Sequence, residues 1–410
     1  MDIHIRLWRE NLVVTRYFGS AFIGHATAED MLEHFEKCCE RLNLGRVEQL
    51  SMDGPAVNWK FHRLLQDRLQ ETSNSTVIDI GSCGLHIVHG AFEDGVAASS
   101  WGVNKLLSSL YYLFKDTPAR REDFQKVTGC NTFPLKFCAH RWVENVPVAE
   151  RAVTIWTQVK IYVEKATQKV VALPASASFE MVKSFCEDSF TVVKLKCFIS
   201  VAKELSLFLT RYQTDSPMVP FLAGDMSDML LNLLRRFVRG SLLENTTIPK
   251  LASIDLSDQA NLRTHRNVDI GMAAQHEVAA VLQSTAGSRG SERDAMQLKL
   301  QCRDFILTVA AKLLHKAPVM YRLVRALECL DPRHMAREKD RSVAKMKKVL
   351  QFLSEANRIE GGLSACEDIL RQYRLFVRTT VAEHHQDYAD FNPDKSRVDE
   401  LLATDMGRDP

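Results

Sequence analysis

The segment QLSMDGPAVNWKF, residues 49–61, and the segment DIGSCGLHIVH, residues 79–89, decide the fold prediction for this chain. We interpret the first as a strand, an acidic turn and a helix, and the second as a strand end, a C-x-x-H turn and a helix. Asp53 follows the apolar run directly, which predicts a carboxylate at the carboxyl edge of a sheet, where α/β proteins place ligands.

The flanking residues extend this pattern into a predicted order β-β-α-β-α-β-α. A hairpin is predicted first, followed by a helix that Thr27 caps. The predicted strands are 2–8, 12–24, 47–52 and 76–80, and the predicted helices are 28–42, 57–71 and 85–91. Strands joined by helical crossovers predict a mixed α/β sheet. From about residue 97 helical periodicity dominates, so the rest of the chain is predicted to be helical.

Composition sets broad limits on function. The 410 residues are 46% apolar and 25% charged, with a net charge of +2, so nucleic-acid binding would need local clustering of basic residues. The ten cysteines show no paired framework, which indicates a reducing compartment, the cytosol or the nucleus. No apolar run of about 18 residues occurs, so we expect no transmembrane helix.

Several motifs together resemble the ribonuclease-H-like core of hAT-superfamily transposases and of host proteins derived from them. The motifs are residues 16–30, Met52-Asp53-Gly54-Pro55 with Val57-Asn58-Trp59, Cys83-Gly84-Leu85-His86, residues 137–145 and Leu330-Asp331-Pro332-Arg333. The resemblance implies an α/β ribonuclease-H-like mixed sheet core with a large all-helical insertion. Its implied parts are 1–145 as the core without its first strand, 146–330 as the helical insertion, and 331–410 as a helical C-terminal part.

The family's chemistry uses three acidic residues that bind two divalent metal ions, because paired cations need several carboxylates. Asp53 matches the second acid of the family. We expect the first acid before Met1 and the third after Pro410, so the chain is predicted to be truncated at both ends and catalytically inactive. Weak Mg²⁺ or Mn²⁺ binding at Asp53 is the remaining metal prediction, with Asp79 as a second carboxylate.

Each of these residues also has a structural interpretation. Asp53 before Gly-Pro stabilises a turn in many proteins, and Asp79 fits a strand end whose carboxylate accepts backbone N–H bonds. Cys83 and His86 have the spacing of zinc ligands, yet a structural zinc site needs four ligands, so we interpret the pair as a motif that supports the site.

The Arg141-Trp142 pair resembles a family element and has two interpretations. Arg141 beside Trp142 would contact phosphate, or it would pair with carboxylates at the start of a helix predicted over 144–165.

A basic cluster at residues 333–348 is the strongest charge feature. On one helix, Arg337, Arg341, Lys345 and Lys348 share a face, and Arg333 precedes them. Such a stripe would bind a DNA or RNA backbone without sequence preference, although a solvated helical face is the more common explanation of such a charged run.

The prediction is therefore a domesticated or degenerate hAT-type transposase, a catalytically inactive interaction or scaffold protein of the nucleus for which weak, sequence-independent nucleic-acid binding is an option. The cytoplasm is the alternative location. The alternative function is an active, metal-dependent DDE nuclease or transposase in a longer product. Partners other than DNA and the oligomeric state are not indicated by the residues.

Overall fold

A two-stranded antiparallel hairpin opens the chain. β1 (Asp2–Arg9) pairs with β2 (Leu12–Ser20), from Arg9 opposite Leu12 to Asp2 opposite Ser20, with an irregularity between Ile3 and His4. Glu10 and Asn11 form the two-residue turn with φ of 52° and 66°. Positive φ at both positions is the geometry of a type I′ turn, whose twist suits two paired strands.

The computed structural model describes residues 1–244, 246–285 and 288–406. Helices account for 67% of it. The helices of the first part of the chain are α1 (Ala28–Cys38), α2 (Ala56–Ser73), α3 (Gly84–Ala98), α4 (Val103–Phe114), α5 (Pro118–Thr128), α6 (Val146–Thr154), α7 (Trp156–Thr167), α8 (Ala177–Glu187), α9 (Thr191–Tyr212) and α10 (Val219–Arg235).

The later helices are α11 (Ile248–Ala252), α12 (Met272–Ser284), α13 (Arg289–Lys316), α14 (Arg322–Ala326), α15 (Pro332–Arg337), α16 (Lys339–Glu355), α17 (Gly362–Arg378), α18 (Thr380–Glu383), α19 (His385–Ala389) and α20 (Val398–Met406). Short 3-10 helices lie at Leu44–Arg46, Trp142–Asn145, Gly240–Leu242, Gln259–Asn261, His265–Asn267, Pro318–Met320 and Leu327–Leu330.

Local chemistry explains several helix ends. The hydroxyl of Thr27 accepts a bond from Asp30 N–H at the start of α1, as the sequence predicted, and Asp331 caps α15 ahead of Pro332. Gly129 ends α5 in the left-handed conformation that favours glycine. The helix predicted over 144–165 is instead divided into a 3-10 turn, α6 and α7, with a break at Ile155.

The chain divides into two compact units. Unit 1 comprises Met1–Ile87, Arg211–Ser227 and the chain from Lys316 onward, and unit 2 comprises Val88–Thr210 and Asp228–His315. In unit 1 one apolar cluster joins the hairpin with α1 and α2 around Phe35, Phe61 and Leu65. A second cluster joins helices α14 to α19 around Tyr373, Val377 and Tyr388.

Unit 2 has an aromatic core. Phe92 on α3 meets Phe198 on α9 and Phe305 on α13 edge to face, with ring centroids 4.9 and 5.5 Å apart. Gly95 allows this packing, because a Cβ at that position would lie 2.8 Å from the carbonyl oxygen of Phe305. Burial of such rings is the main favourable contribution to a core of this kind.

The predicted ribonuclease-H-like mixed sheet is not present. In the described residues the only sheet is the two-stranded hairpin β1–β2. Residues 47–52 and 76–80, predicted as strands, are irregular and share a single parallel bridge between Gln49 and Ile78. The fold of the described residues is therefore largely helical, and the α/β prediction is wrong.

Side chains bond to backbone groups in and beside these two segments. Gln66 on α2 donates to the carbonyl of Val77 at 2.6 Å and accepts from its N–H at 2.8 Å. Arg358 donates to the carbonyl oxygens of Gly45 and Thr76. Backbone groups that a further strand would pair with are thus already satisfied by side chains.

The outer edge of β2 is held in the same way. The carboxylate of Asp399 accepts from Val13 N–H at 2.8 Å, and Arg397 donates to the Val13 carbonyl at 2.9 Å while it binds Asp399 at 2.6 Å. An ion pair thus takes the place of a neighbouring strand. Because an isolated hairpin is marginally stable in water, this contact is expected to hold the ribbon in unit 1.

No helix in the described part of the chain is long and apolar enough to cross a membrane.

Replacement of Asp399 by Asn should destabilise the protein at neutral pH by about 1–3 kcal/mol, since Arg397 and Val13 lose a charged acceptor. Burial opposes ionisation of Asp399, but the bonds from Arg397 and Val13 outweigh burial, so its pKa lies below the ordinary Asp value. A lowered pKa means that the stabilisation is complete above the unfolded pKa of about 3.9 and is lost as the pH falls through the folded value.

Urea unfolding of the wild type and Asp399→Asn between neutral pH and pH about 3 would measure this, and the two curves should converge below pH about 4. Glu400→Gln is the matched control, because its exposed neighbouring carboxylate lies 3.9 Å from Arg397 and should change stability by less than about 0.5 kcal/mol. A gap between wild type and Asp399→Asn that stays constant with pH contradicts the assignment.

Candidate functional site

Asp53 lies on the exposed turn before α2. Its Oδ1 accepts a hydrogen bond from Nδ2 of Asn58, and Asn58 and Trp59 N–H groups bond to the carbonyl of Pro55. The Asp53 carboxylate therefore bonds, from the preceding turn, to a side chain in the first turn of α2. This is the structural role that Asp before Gly-Pro favours.

Asp79 shapes the neighbouring turn. Its Oδ1 accepts the N–H of Gly81 at 2.9 Å, and Gly81 has a φ of +86°. A Cβ at Gly81 would lie 2.8 Å from a ring atom of Tyr321, so glycine is required there on both counts. The turn leads to Cys83, whose N–H bonds to the carbonyl of Met52 at 3.0 Å and joins the two turns.

These residues do not fit a two-metal centre. Each of the two carboxylates, Asp53 and Asp79, has a hydrogen-bond partner within its own turn. In residues 1–244, 246–285 and 288–406 no three His, Cys, Asp or Glu side chains are grouped as metal ligands. Paired Mg²⁺ or Mn²⁺ ions need several carboxylates, and Asp53 and Asp79 do not supply that ligand set.

The C-x-x-H motif lies at the start of α3, which begins at Gly84, one residue before the predicted start. Cys83 is half-buried and its carbonyl accepts the N–H of Ile87, which fixes the first turn of the helix. His86 is exposed on that turn. The motif thus joins the acidic turn to a helix, and the supporting role of Cys83 and His86 stays a prediction.

The side chains of Arg141 and Trp142 lie in different environments. Trp142 is buried with its ring 5.2 Å from that of Phe137, and its Nε1–H has no acceptor among the described residues, so packing alone positions it. Arg141 is exposed and lies 3.3 Å from the carboxylate of Glu144. Arg141 therefore has the helix-start carboxylate partner that the second interpretation required.

Asn145 is the most heavily bonded side chain of this segment, and the sequence did not single it out. It is fully buried; its Oδ1 accepts Cys138 N–H at 2.7 Å and its Nδ2 lies 2.9 Å from the Cys138 carbonyl. The carbonyls of Arg141 and Trp142 are also within reach of Nδ2. The one sequence signal for this role was an amide side chain at the end of an apolar-rich segment, just where a helix was predicted to start.

The predicted single basic helix at 333–348 is wrong in its geometry. α15 ends at Arg337, Glu338 adopts φ −127° and ψ 52°, and α16 begins at Lys339. Arg337 therefore does not continue the face of Arg341, Lys345 and Lys348. Arg337, at the end of α15, donates to the carbonyl of Ala389.

Most of the predicted nucleic-acid contacts already have intramolecular partners. Arg333 forms a fork with Asp331, which raises the pKa of the arginine, and its guanidinium packs over the ring of Phe221 at 5.2 Å. Arg341 binds Glu338 at 2.6 Å and holds the pKa of that carboxyl below its usual value. Lys345 forms a half-buried ion pair with Glu328.

A different basic surface results from the pairing of α16 with α17, two helices that pack against each other. α16 contains five basic and two acidic residues, and α17 contains three basic and two acidic residues. The ion pairs there involve Arg341, Arg371 and Arg378. The exposed basic side chains of α16 and α17 that form no ion pair with the described residues are Lys347, Lys348 and Arg374.

The predicted site residues are divided between the two compact units. Asp53, Asp79, Cys83 and His86 belong to unit 1, whereas Arg141 and Trp142 belong to unit 2. In comparisons with known proteins, neither a family model nor a curated protein matches the chain. The hAT resemblance rests on the sequence motifs alone.

Calorimetric titration with Mn²⁺ should give no saturable heat that Asp53→Ala removes, because Asp53 and Asp79 lie in local turns and no third ligand group joins them in the part of the chain that the structure describes. Asp79→Ala is the matched carboxylate control, and circular dichroism establishes that each variant is folded. Saturable heat in the wild type that disappears in Asp53→Ala contradicts the expected result and establishes a metal site at the turn.

Asn145→Ala should destabilise the protein by about 3 kcal/mol, because the part-buried N–H and carbonyl of Cys138 and the buried carbonyl of Trp142 lose their side-chain partner. The exposed neighbour Glu144→Ala is the control, with an expected change below about 1 kcal/mol. Thermal or urea unfolding measures both. Equal small losses in the two variants would show that the Asn145 bonds do not stabilise the segment.

Proposed function

We propose that this chain is a nucleic-acid-binding interaction protein of hAT-transposase descent, which holds phosphate backbones without reading base sequence. The observation that supports it most directly is the exposed excess of cations on α16 and α17. The proposed descent comes from the sequence motifs, and it includes neither a ribonuclease-H-like sheet nor a catalytic step.

Three side chains supply the proposed contacts. Lys347 and Lys348 are adjacent exposed residues of α16, and Arg374 is exposed on α17. None of the three forms an ion pair within the described residues, so each charge is available to a phosphate at low cost. Arg341, Arg371 and Arg378 lie on the same helices, where exposed pairs with single acids hold them only weakly.

The size of the charge excess indicates the strength of binding. A few lysine–phosphate contacts release a few counterions, so affinity depends steeply on salt and weakly on sequence. The net charge of +2 for the whole chain adds little long-range attraction. Binding is therefore proposed to be modest at physiological salt, as suits a scaffold that meets nucleic acid in the nucleus.

Charge reversal tests the proposal. In Lys347→Glu/Lys348→Glu, affinity for a labelled duplex of arbitrary sequence should fall, and the slope of log K against log salt should become shallower by about 2, one unit for each lost phosphate contact. Fluorescence anisotropy at several salt concentrations measures both quantities.

Lys105→Glu/Lys126→Glu is the matched control, because both lysines are exposed on helices of unit 2 and the change in net charge is the same. The control should keep the wild-type slope. If the two double variants lose affinity equally, overall charge and not the α16–α17 surface causes binding. If the wild type does not bind duplexes at low salt, the proposed function is wrong.

A further inference from the structure

The exposed face of the β1–β2 hairpin carries aromatic rings and arginine side by side. In the register of the ribbon, His4 lies opposite Tyr17, Arg6 opposite Thr15 and Trp8 opposite Val13. Trp8 is 51% exposed and Tyr17 62% exposed, and Phe22, just past the end of β2, is 95% exposed. Phe22 lies at the end of the ribbon away from Trp8, so Trp8 and Tyr17 are the exposed large rings of the face itself. Exposed rings of this kind mark binding surfaces.

The opposite face explains why these rings are left outside. Ile3 is buried in the cluster with Phe35 and Phe61, and Phe18 packs against the same cluster. Alternation along a strand then directs His4, Arg6 and Trp8 to the other side. The ribbon therefore contacts the apolar core at the Ile3 end of one face, while Leu7 on that face, beside the turn, is 39% exposed. The aromatic face takes no part in that contact.

The spacing along β1 suits a ligand with repeated flat groups. Successive residues on one face of a strand are about 7 Å apart, which puts Trp8, Arg6 and His4 in a row with Tyr17 beside His4. The His4 and Tyr17 rings meet edge to face at 5.7 Å, so they form one aromatic step. Arg6 lies between the aromatic positions and its Nη2 donates to the carbonyl of Asp215 at 2.7 Å.

The charge of the ribbon indicates an anionic ligand. β1 and β2 contain three arginines, Arg6, Arg9 and Arg16, and one acidic residue, Asp2. Arg9 pairs with Glu10 of the turn, whereas Arg6 and Arg16 have no ion pair within the described residues. Arg6 shares the face of the rings, and Arg16, opposite Ile5, lies on the other face of the ribbon. Rings and guanidinium groups together favour single-stranded nucleic acid, whose bases stack and whose phosphates meet the cations.

A second copy of the chain fits this ribbon less well. Antiparallel pairing of two β1 strands about their centre brings Arg6 against its own copy or its immediate neighbours, and like charges across strands are destabilising. Charged residues at a strand edge also discourage addition of another strand. The charge of β1 thus favours the nucleic acid over self-association.

We infer that the β1–β2 face, with Trp8, Tyr17, His4 and Arg6, binds single-stranded nucleic acid by base stacking. This inference rests on the proposed function and deepens it, because it adds a preference for unpaired strands to general phosphate binding. Bases in a duplex are already stacked on each other, so an intact duplex has no unstacked base for the aromatic face to bind.

Trp8 provides a direct probe of this contact. It is the exposed member of the five tryptophans, since Trp101, Trp142 and Trp156 are buried and Trp59 is half-buried. A short oligothymidine should quench tryptophan fluorescence in the wild type at the concentrations that saturate anisotropy of the same labelled strand. Trp8→Phe should lose most of the quenching and keep the affinity, because phenylalanine still stacks.

Removal of the rings tests the energetics. Trp8→Ala/Tyr17→Ala should weaken oligothymidine binding at least about 25-fold, since each stacked ring contributes about fivefold or more, and should leave duplex affinity unchanged. Tyr112→Ala is the matched control, because Tyr112 is 53% exposed on α4 in unit 2. Circular dichroism and thermal unfolding establish that the ribbon variants are folded.

The outcomes separate this inference from the proposed function. Oligothymidine binding without quenching, or with unchanged affinity in Trp8→Ala/Tyr17→Ala, overturns the inference and leaves phosphate binding by α16–α17 intact. Quenching that persists in Lys347→Glu/Lys348→Glu, with duplex affinity also unchanged, contradicts the proposed function and supports the ribbon. A dimer that the ribbon substitutions dissociate, with no loss of oligothymidine affinity, shows that a second copy covers this face and overturns the inference.

Discussion

Buried backbone groups must find partners, and in this protein amide and ionic side chains repeatedly satisfy both groups of one residue. Gln66 does so for Val77, Asn145 for Cys138, and the Arg397–Asp399 pair for Val13. In each case the N–H and the carbonyl of one residue point in the same direction. One amide side chain, or one ion pair, accepts from the N–H and donates to the carbonyl. The irregular segments next to the helices depend on these paired bonds, because they have no ladder to satisfy them.

This arrangement explains why apolar, strand-like sequences remain outside a sheet. The residues around Val77 have suitable side chains for a strand, yet their outward backbone groups are bonded to α2 through Gln66 and to Arg358. The hairpin forms because its turn residues, Glu10 and Asn11, bring two adjacent segments together with little loop entropy. Pairing of distant segments would need to displace side-chain bonds that are already made.

Local signals in the sequence predicted local structure well. The hairpin, the Thr27 cap of α1, and the helices that follow Pro55 and Cys83 lie close to their predicted positions. The sheet was predicted wrongly because strand pairing depends on what the backbone groups bond to at long range, and no local pattern around Arg358 or Gln66 indicates such a role. At the site, turn roles for Asp53 and Asp79 were among the interpretations of the sequence, whereas the interruption at Glu338 and the bonds of Asn145 depend on tertiary contacts.

The Asn145 bonds also affect how relatives of this protein can be recognised. Asparagine and aspartate have nearly the same shape, and substitution scores treat their exchange as mild. At this position the exchange removes the donor that serves the carbonyls of Cys138, Arg141 and Trp142, and puts a buried anion among carbonyl oxygens. A sequence comparison that scores only size and polarity would therefore accept Asp in place of Asn145, although Asp lacks the donor that these carbonyls need. A comparison that requires an amide at this position would exclude such sequences.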